Sequence, residues 1–476
     1  MKALPTAFVS RMKTLLGEDY PLYERAMTEQ PSRALRVNTD KISLADFERV
    51  ADFPIEKIPY VENGYFFECD KIGNHPFHHA GMIYIQEPAA MMPAECLKIE
   101  KDWRILDMCA APGGKSTQLQ NKLGENGVIV SCEIVPSRCK ILASNVERLG
   151  IRNSVTVCSS PDKLADELPV KFDMIMVDAP CSGEGMFRKN DRAIEEWSLQ
   201  NVEMCAERQR EILTNVAKCV SPGGKLIYST CTFSLEENEK NVEWFLDNVT
   251  DFVLADVLPE LKSVTCDGIC FDGCRYDMTK TRRFYPHVSK GEGQFIAVLE
   301  RSPSAPCDSA EDAHSSKRNK KKNNAQERIT REDAELLKAA ADFLAENLCE
   351  DYASGVKYYL VVLNGRAFLK PEIDLPKYGV FAAGVCVGDL MGRKFAPHHQ
   401  LFSAFGNSFK RRIALKQSDA RIEAYLKGLE INVEGAVIFD GKPTGWAAVL
   451  VDGCPVGGGK ISDTVCKNHY PKGLRN

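Results

Sequence analysis

Residues 103–117 read WRILDMCAAPGGKST: a short apolar run that closes on Asp107, a turn of small residues, then a lysine that opens a helical pattern. Four runs of the same kind follow: GVIVSC (127–132), SVTVC (154–158), FDMIMVD (172–178) and KLIYST (225–230). Continuous, β-branched-rich runs of this length suit strands buried on both faces of a parallel sheet. Helical patterns start at Lys115, Pro136, Leu199 and Leu235. Strands alternating with helices predict βαβ units and a doubly wound α/β sheet.

In such a sheet, ligands sit at the carboxyl ends of the strands, where a glycine-rich turn lets the backbone come close. The turn after Asp107 is neither GxGxxG nor a Walker loop, because Cys109 stands where the first glycine of GxxxxGKS belongs. That favours a nucleoside ligand smaller than a dinucleotide or a triphosphate. Glu133 ends the second run, where a carboxylate accepts hydrogen bonds from both ribose hydroxyls. On its own it would read as a plain strand-end carboxylate, and its pairing with the turn gives it meaning. The fourth run ends in Asp178-Ala179-Pro180-Cys181-Ser182-Gly183-Glu184-Gly185 and the fifth in Ser229-Thr230-Cys231-Thr232. Two cysteines at one edge of a parallel sheet differ from scattered core cysteines.

The chain has 476 residues, 44% apolar and 27% charged, with a net charge of −5, which predicts about three domains. No apolar run reaches the ~18 residues of a spanning helix and no signal-peptide cleavage site is evident, so the expectation is a soluble, cytoplasmic protein. In that setting most of the 18 cysteines read as reduced, buried small hydrophobes. Charge is uneven: residues 391–476 carry 13 Lys/Arg against 7 Asp/Glu, +6, leaving −11 for the rest. A basic tail on an acidic body suggests an anionic partner, with an ordinary solvated face as the plain alternative. Residues 302–330, poor in large apolar side chains, read as a flexible linker, and the Lys317–Lys322 cluster within it as a solvated tether. Beyond it, 331–348 reads as an amphipathic helix, followed by short strands with turn signals at Asn364-Gly365, Asp440-Gly441 and Asp452-Gly453.

The quoted segments, with GMIYIQEPAA (81–90), EIVPSRCKILASNVERLG (133–150), DAPCSGEGMFRK (178–189), STCTFSLEENEKNVEWFL (229–246) and RRFYPHVSKGEGQFIAVL (282–299), resemble the Sun-type (Fmu-like) family of S-adenosylmethionine-dependent RNA 5-methylcytosine methyltransferases. They run in order over about 220 residues. The C-terminal GGGKISDTVCKNHYPKGLRN (457–476) is similar to the end of the RsmF-type branch, whose extra module resembles a PUA RNA-binding domain. The resemblance implies a Rossmann-like class I methyltransferase core with an α+β N-terminal region and a small, mainly β, PUA-like module. It divides the chain into an N-terminal accessory RNA-binding region (1–78), a catalytic domain (79–301), the linker (302–330), an RsmF-type accessory module (331–390) and a PUA-like domain (391–476).

Cytosine C5 is too weak a nucleophile to take a methyl group directly, so a thiolate must first add to C6. By resemblance, Cys231 matches that nucleophile, Cys181 the residue implicated in release of the adduct, and Asp178 the carboxylate that holds the N3 and N4 edge of the base. Cys109, Ala110, Ala111, Pro112, Gly113, Gly114 and Lys115 match the loop around the methionine part of S-adenosylmethionine, with Lys115 close to both cofactor and active site; a helix-start lysine would look the same in isolation. Asp178 and Pro180 border the cofactor as well. Glu133 matches the ribose contact, and Arg138 the basic residue usual after it. The family's acidic residue near adenine is missing, and Ser160 and Asp162 are both candidates to replace it. The acceptor of the C5 proton stays open.

Base chemistry needs the target out of its stack, which favours single-stranded or loop RNA. The implied substrate is 16S rRNA or the small ribosomal subunit, with transfer RNA, or a catalytically silent assembly factor, as alternatives. Lys410, Arg411, Arg412, Lys460, Lys467, Lys472 and Arg475 would hold phosphates, and His469 and Tyr470 either stack on a base or pack in a core. Cys266, Cys270 and Cys274 recur at four-residue intervals without a fourth ligand, and read as an insertion loop against a metal alternative. No metal and a monomer are expected.

Overall fold

The computed structural model describes residues 2–168, 171–305, 330–354, 356–374, 376 and 379–476. At its centre is a ten-stranded sheet. Arg104–Asp107, Val128–Glu133, Ser154–Cys158, Phe172–Asp178 and Val220–Thr230 form its parallel part. Four of the strands match the expected runs to within a residue and the fifth begins at Val220, five residues before the expected Lys225; the strands bury Ile, Val, Leu and Met. Phe172–Asp178 and Val128–Glu133 flank Arg104–Asp107 on opposite sides, so the strand order reverses beside Arg104–Asp107. That reversal opens a crevice at the carboxyl ends of Asp107 and Asp178. Gln294–Arg301 then runs antiparallel beside Val220–Thr230.

Helices begin at Gly114, Pro136 and Leu199, the last two helped by Pro136 in the first turn and by a Ser198 cap on the Asn201 N–H at 3.1 Å. The expected helix from Leu235 starts only at Glu239. Asn238, just before it, spends its side chain on the Thr232 carbonyl and the Thr230 hydroxyl, so the preceding turn stays non-helical.

The N-terminal region pairs Ile55–Lys57, Gly64–Phe67, Ala34–Val37 and Ile83–Ile85 into an antiparallel sheet. After the linker, which lies outside the described residues from 306 to 329 together with Lys317–Lys322, the helix Arg331–Asn347 opens with a Thr330/Asp333 capping box. Asn364-Gly365 and Asp452-Gly453 are left-handed two-residue turns closing hairpins. Asp440-Gly441 instead leads from Val437–Phe439 into Gly445–Val451, strands that are not paired with each other. A four-stranded sheet spans Tyr358–Leu363, Arg366–Pro371, Val385–Met391 and Lys394–Pro397, with its last pair running across residue 390. Between its strands, Val380–Ala383 leaves to pair with Ser154–Cys158 on the central sheet. A six-stranded sheet then closes the chain. Among the described residues no helix is long and apolar enough to cross a membrane.

Sequence-distant ends share one apolar cluster, with Leu35, Phe47, Phe77 and Ile83 packing alongside Ile413, Tyr425, Val449 and Tyr470. Lys41 fastens this junction: its ammonium donates to the carbonyls of Ala80 (2.6 Å), Pro455 (3.2 Å) and Arg148 (3.4 Å). Replacing Lys41 with Met leaves those carbonyls without their donor. Urea denaturation should show a loss of about 1–3 kcal/mol.

Candidate functional site

The strand Arg104–Asp107 feeds a loop that is tied down before the helix Gly114–Lys122 begins. Ala110 N–H bonds the Cys132 carbonyl at 2.9 Å and Gly113 N–H the Ala110 carbonyl at 2.7 Å. Gly113 has φ +108°, and a Cβ there would come within 3.0 Å of Leu142. Glycine is therefore required by backbone conformation and space together. Ser116 donates to Asp107 Oδ2 at 2.5 Å, while Asp107 Oδ1 is buried without a protein partner. Burial pushes the Asp107 carboxyl up to about 7.

Glu133, buried at the next strand end, accepts from Val135 N–H at 2.9 Å. Arg138 lies 3.3 Å from its other oxygen and donates to the Ala111 carbonyl at 2.7 Å, fastening the acidic strand end to the loop. A cleft of about 1090 Å³ opens here. Cys109, Ala111, Glu133, Arg138, Ser160, Asp162, Asp178, Pro180, Cys181 and Cys231 all line it. Ala110, Pro112, Gly114 and Lys115 border a smaller cavity of about 220 Å³, with Asp107, Asp178, Tyr84 and Gln86, and Cys109, Ala111 and Asp178 line both spaces. Gly113 faces neither space and acts through its backbone alone. Both candidates for the adenine end, Ser160 and Asp162, reach the cleft.

Asp178 is held from three sides. Lys115 Nζ approaches Oδ2 at 2.7 Å, and Ser229 Oγ and Gln294 Nε2 donate to Oδ1 at 2.8 and 3.2 Å. Burial disfavours the Lys115 ammonium, but the adjacent Asp178 carboxylate outweighs it and lifts the pKa above the ordinary lysine value. Cys181 and Cys231 follow from neighbouring strands, and their sulfurs stand 3.3 Å apart. The bond to Cys231, reinforced by burial, holds the Cys181 thiol well above the usual range. Two cysteine sulfurs, that of Cys181 held protonated, thus face one cleft beside a carboxylate–ammonium pair.

Ser229 and Gln294 lie in quoted motifs, yet nothing in those motifs aims them at Asp178. The aim follows from the registers Asp178 to Ser229 and Phe295 to Thr230. Arg36 was likewise invisible: from the N-terminal sheet it donates to Gln86 Oε1 (2.6 Å), the Gly114 carbonyl (2.8 Å) and Thr117 Oγ1 (2.9 Å). Cys266 lies in a short strand and Cys270 is exposed. Among the described residues no group of three or more His, Cys, Asp or Glu is placed to hold a metal ion.

In the tail, the structure decides between the two readings of Tyr470 and corrects the reading of Arg411 as a phosphate contact. Tyr470 is buried, bonded to a His79 ring nitrogen at 2.8 Å and packed on His399 and Tyr425, so it cannot stack on a base. Arg411 is buried too, donating to Asn347 Oδ1 and, at 2.9 Å, to the Trp446 carbonyl, so it is a structural tie. Lys460 and Lys467 remain exposed and sit directly opposite each other, next to Trp446 with His469 packed on its ring at 4.4 Å.

Because Asp107 is protonated in the folded chain between its ordinary 3.8 and about 7, where the unfolded chain has released the proton, stability falls as pH rises through that window. Denaturation at roughly pH 5 and pH 8 should show a smaller fall in Asp107→Asn than in the parent protein.

Three family profiles match the chain: the N-terminal domain of 16S rRNA methyltransferase RsmF over residues 4–88, 16S rRNA methyltransferase RsmB/F over 94–300 and the methyltransferase RsmF PUA domain over 412–476. The ribosomal RNA small subunit methyltransferase F of Vibrio vulnificus is 30% identical over 99% of this chain and 97% of its own length. Its namesake from Vibrio cholerae is 35% identical over 64% of this chain and 65% of its own. A crystal structure of a methyltransferase homolog from Pyrococcus horikoshii superposes with a TM-score of 0.55 at 31% identity, covering 62% of this chain and 95% of that one.

Proposed function

The chain belongs to the ribosomal RNA small subunit methyltransferase F family, and from that premise we propose that it methylates carbon 5 of cytidine in 16S rRNA through a covalent adduct on Cys231. It is a methyltransferase whose methyl donor is S-adenosylmethionine. The residues present fit that donor. Glu133 offers a buried carboxylate at the cleft for a ribose diol, and Asp107 keeps a buried, unpaired acceptor oxygen behind the glycine turn for a cationic amino-acid head group. Arg138 holds Glu133 and the loop in one geometry. When bound, S-adenosylmethionine supplies an electrophilic sulfonium methyl.

The observation that carries the reading is the pair of sulfurs 3.3 Å apart beside Asp178. Cys231 Sγ adds to cytosine C6, and the electron pair displaced from the double bond makes C5 nucleophilic. Asp178, oriented by Lys115, Ser229 and Gln294, meets the N3 and N4 edge and stabilises the charge that develops there. After methylation C5 loses its proton, the C5–C6 double bond re-forms, and the C6–Sγ bond breaks to return the Cys231 thiolate. Cys181, beside that sulfur, serves the release.

RNA contacts must offset the few kcal/mol needed to unstack the target. Two lysines opposite each other, like Lys460 and Lys467, repel, a cost that a bound phosphate removes. We assign the cytoplasm as the compartment and a monomer as the working unit.

Cys231→Ala should abolish methylation in an assay with labelled methyl donor and small-subunit RNA, whereas Cys181→Ala should accumulate an RNA–protein adduct on a denaturing gel. Retained methylation by Cys231→Ala would remove the mechanism. Bisulfite mapping of rRNA from cells with and without the gene identifies the cytidine. In a salt titration of RNA binding, Lys460→Glu with Lys467→Glu should weaken affinity and flatten the salt slope by about two phosphate contacts.

A further inference from the structure

Cys181 and Cys231 reach each other from loops after different strands, and their side chains alone do not hold the loops together. A buried polar chain does so from behind. Ser182 and Thr232, each the residue after one of the two cysteines, join hydroxyl to hydroxyl at 2.8 Å. The Ser182 hydroxyl donates to Glu237 Oε1, so the proton between the two hydroxyls comes from Thr232. Glu237 Oε2 accepts the Ser182 backbone N–H at 3.0 Å and Gln209 Nε2 at 2.8 Å. The same Gln209 nitrogen donates to the Pro180 carbonyl at 3.0 Å. Backbone groups on both sides of Cys181 are thus bonded, and the path continues to the residue after Cys231. All four side chains are buried, and none is bonded to either sulfur.

We propose that Glu237, acting through Ser182 and Thr232, is a positioning residue that sets the register of the two thiols and so enables release of the covalent RNA adduct. The proposal rests on the roles given above to Cys231 and Cys181. Keeping a carboxylate in the interior is expensive: burial pushes Glu237 up to about 7 even with three donors on it. An apolar residue would satisfy packing there without that cost, whereas only an acceptor with two faces can hold the Ser182 hydroxyl and backbone N–H together. Misplacing reacting groups by about 1 Å costs on the order of 100-fold in rate.

The test compares Glu237→Ala and Thr232→Val with Glu237→Gln and Thr232→Ser in the full chain, using small-subunit RNA and S-adenosylmethionine. In Glu237→Gln the amide oxygen still accepts from Ser182 N–H and Gln209, its NH2 donates to the Ser182 hydroxyl, and that hydroxyl turns to donate to Thr232. The network then closes with its relay reversed. Thr232→Val removes one hydroxyl at nearly constant volume and guards against misfolding of Glu237→Ala. Expected are a turnover loss of about 10- to 100-fold in the two disrupting variants with adduct accumulating as in Cys181→Ala, unchanged cofactor affinity by calorimetry, and near-parent behaviour of the two conservative variants. Adduct formation in Cys181→Ala but none in Thr232→Val or Glu237→Ala overturns the positioning role, as does wild-type turnover in Thr232→Val. Absence of an adduct in Cys181→Ala itself overturns the thiol assignment beneath it.

Discussion

The register that sets Asp178 beside Ser229 across two parallel strands is the constraint on which the cleft depends. It puts the ends of Phe172–Asp178 and Val220–Thr230 at one level, so that Cys181, three residues beyond one, and Cys231, one beyond the other, meet. The same register lets Ser229 donate to Asp178, and the antiparallel neighbour Gln294–Arg301 adds Gln294. A slip by one residue would turn these side chains to the opposite face of the sheet. Main-chain pairing at the sheet centre therefore governs the chemistry at its edge.

Around that centre the rest of the chain limits movement. The edge strand Ser154–Cys158, which leads to Ser160 and Asp162 at the cleft, would be exposed for further pairing if Val380–Ala383 did not cover it. The strand that covers it comes from the C-terminal part of the chain, so the Ser160 side of the cleft and that segment are hydrogen-bonded parts of one sheet. On the other flank, the N-terminal and C-terminal sheets share an apolar cluster, with Lys41 bridging three carbonyls at the junction. Arg36 extends from that N-terminal sheet to the start of the glycine-turn helix. A basic, exposed surface at Lys460 and Lys467 is in this way mounted on the body that carries the thiols.

Much of the fold was legible because its signals are local. Five apolar runs became five parallel strands, the patterns at Pro136 and Leu199 marked helix starts, and Asn364-Gly365 marked a hairpin. The helix expected from Leu235 begins four residues late, since Asn238 is drawn into contacts with Thr230 and Thr232 that no local pattern announces. In the tail, composition predicted a basic surface but could not sort its members, and it left Tyr470 open between base stacking and core packing. Tyr470 and Arg411 proved to be interior ties, because a tyrosine or an arginine carries no mark of which side of a sheet it will occupy.

By itself the sequence determined the residue types at each strand end, and with them the doubly wound core, the glycine turn and the two cysteines with Asp178. Those properties depend on neighbours within a few positions. Tertiary structure alone decided that the two sulfurs stand 3.3 Å apart, that Gln294 and Ser229 converge on Asp178, and that Glu237 stands behind both cysteine loops. Such facts need distant segments in a common register, and register is set by the packing and pairing of the whole sheet.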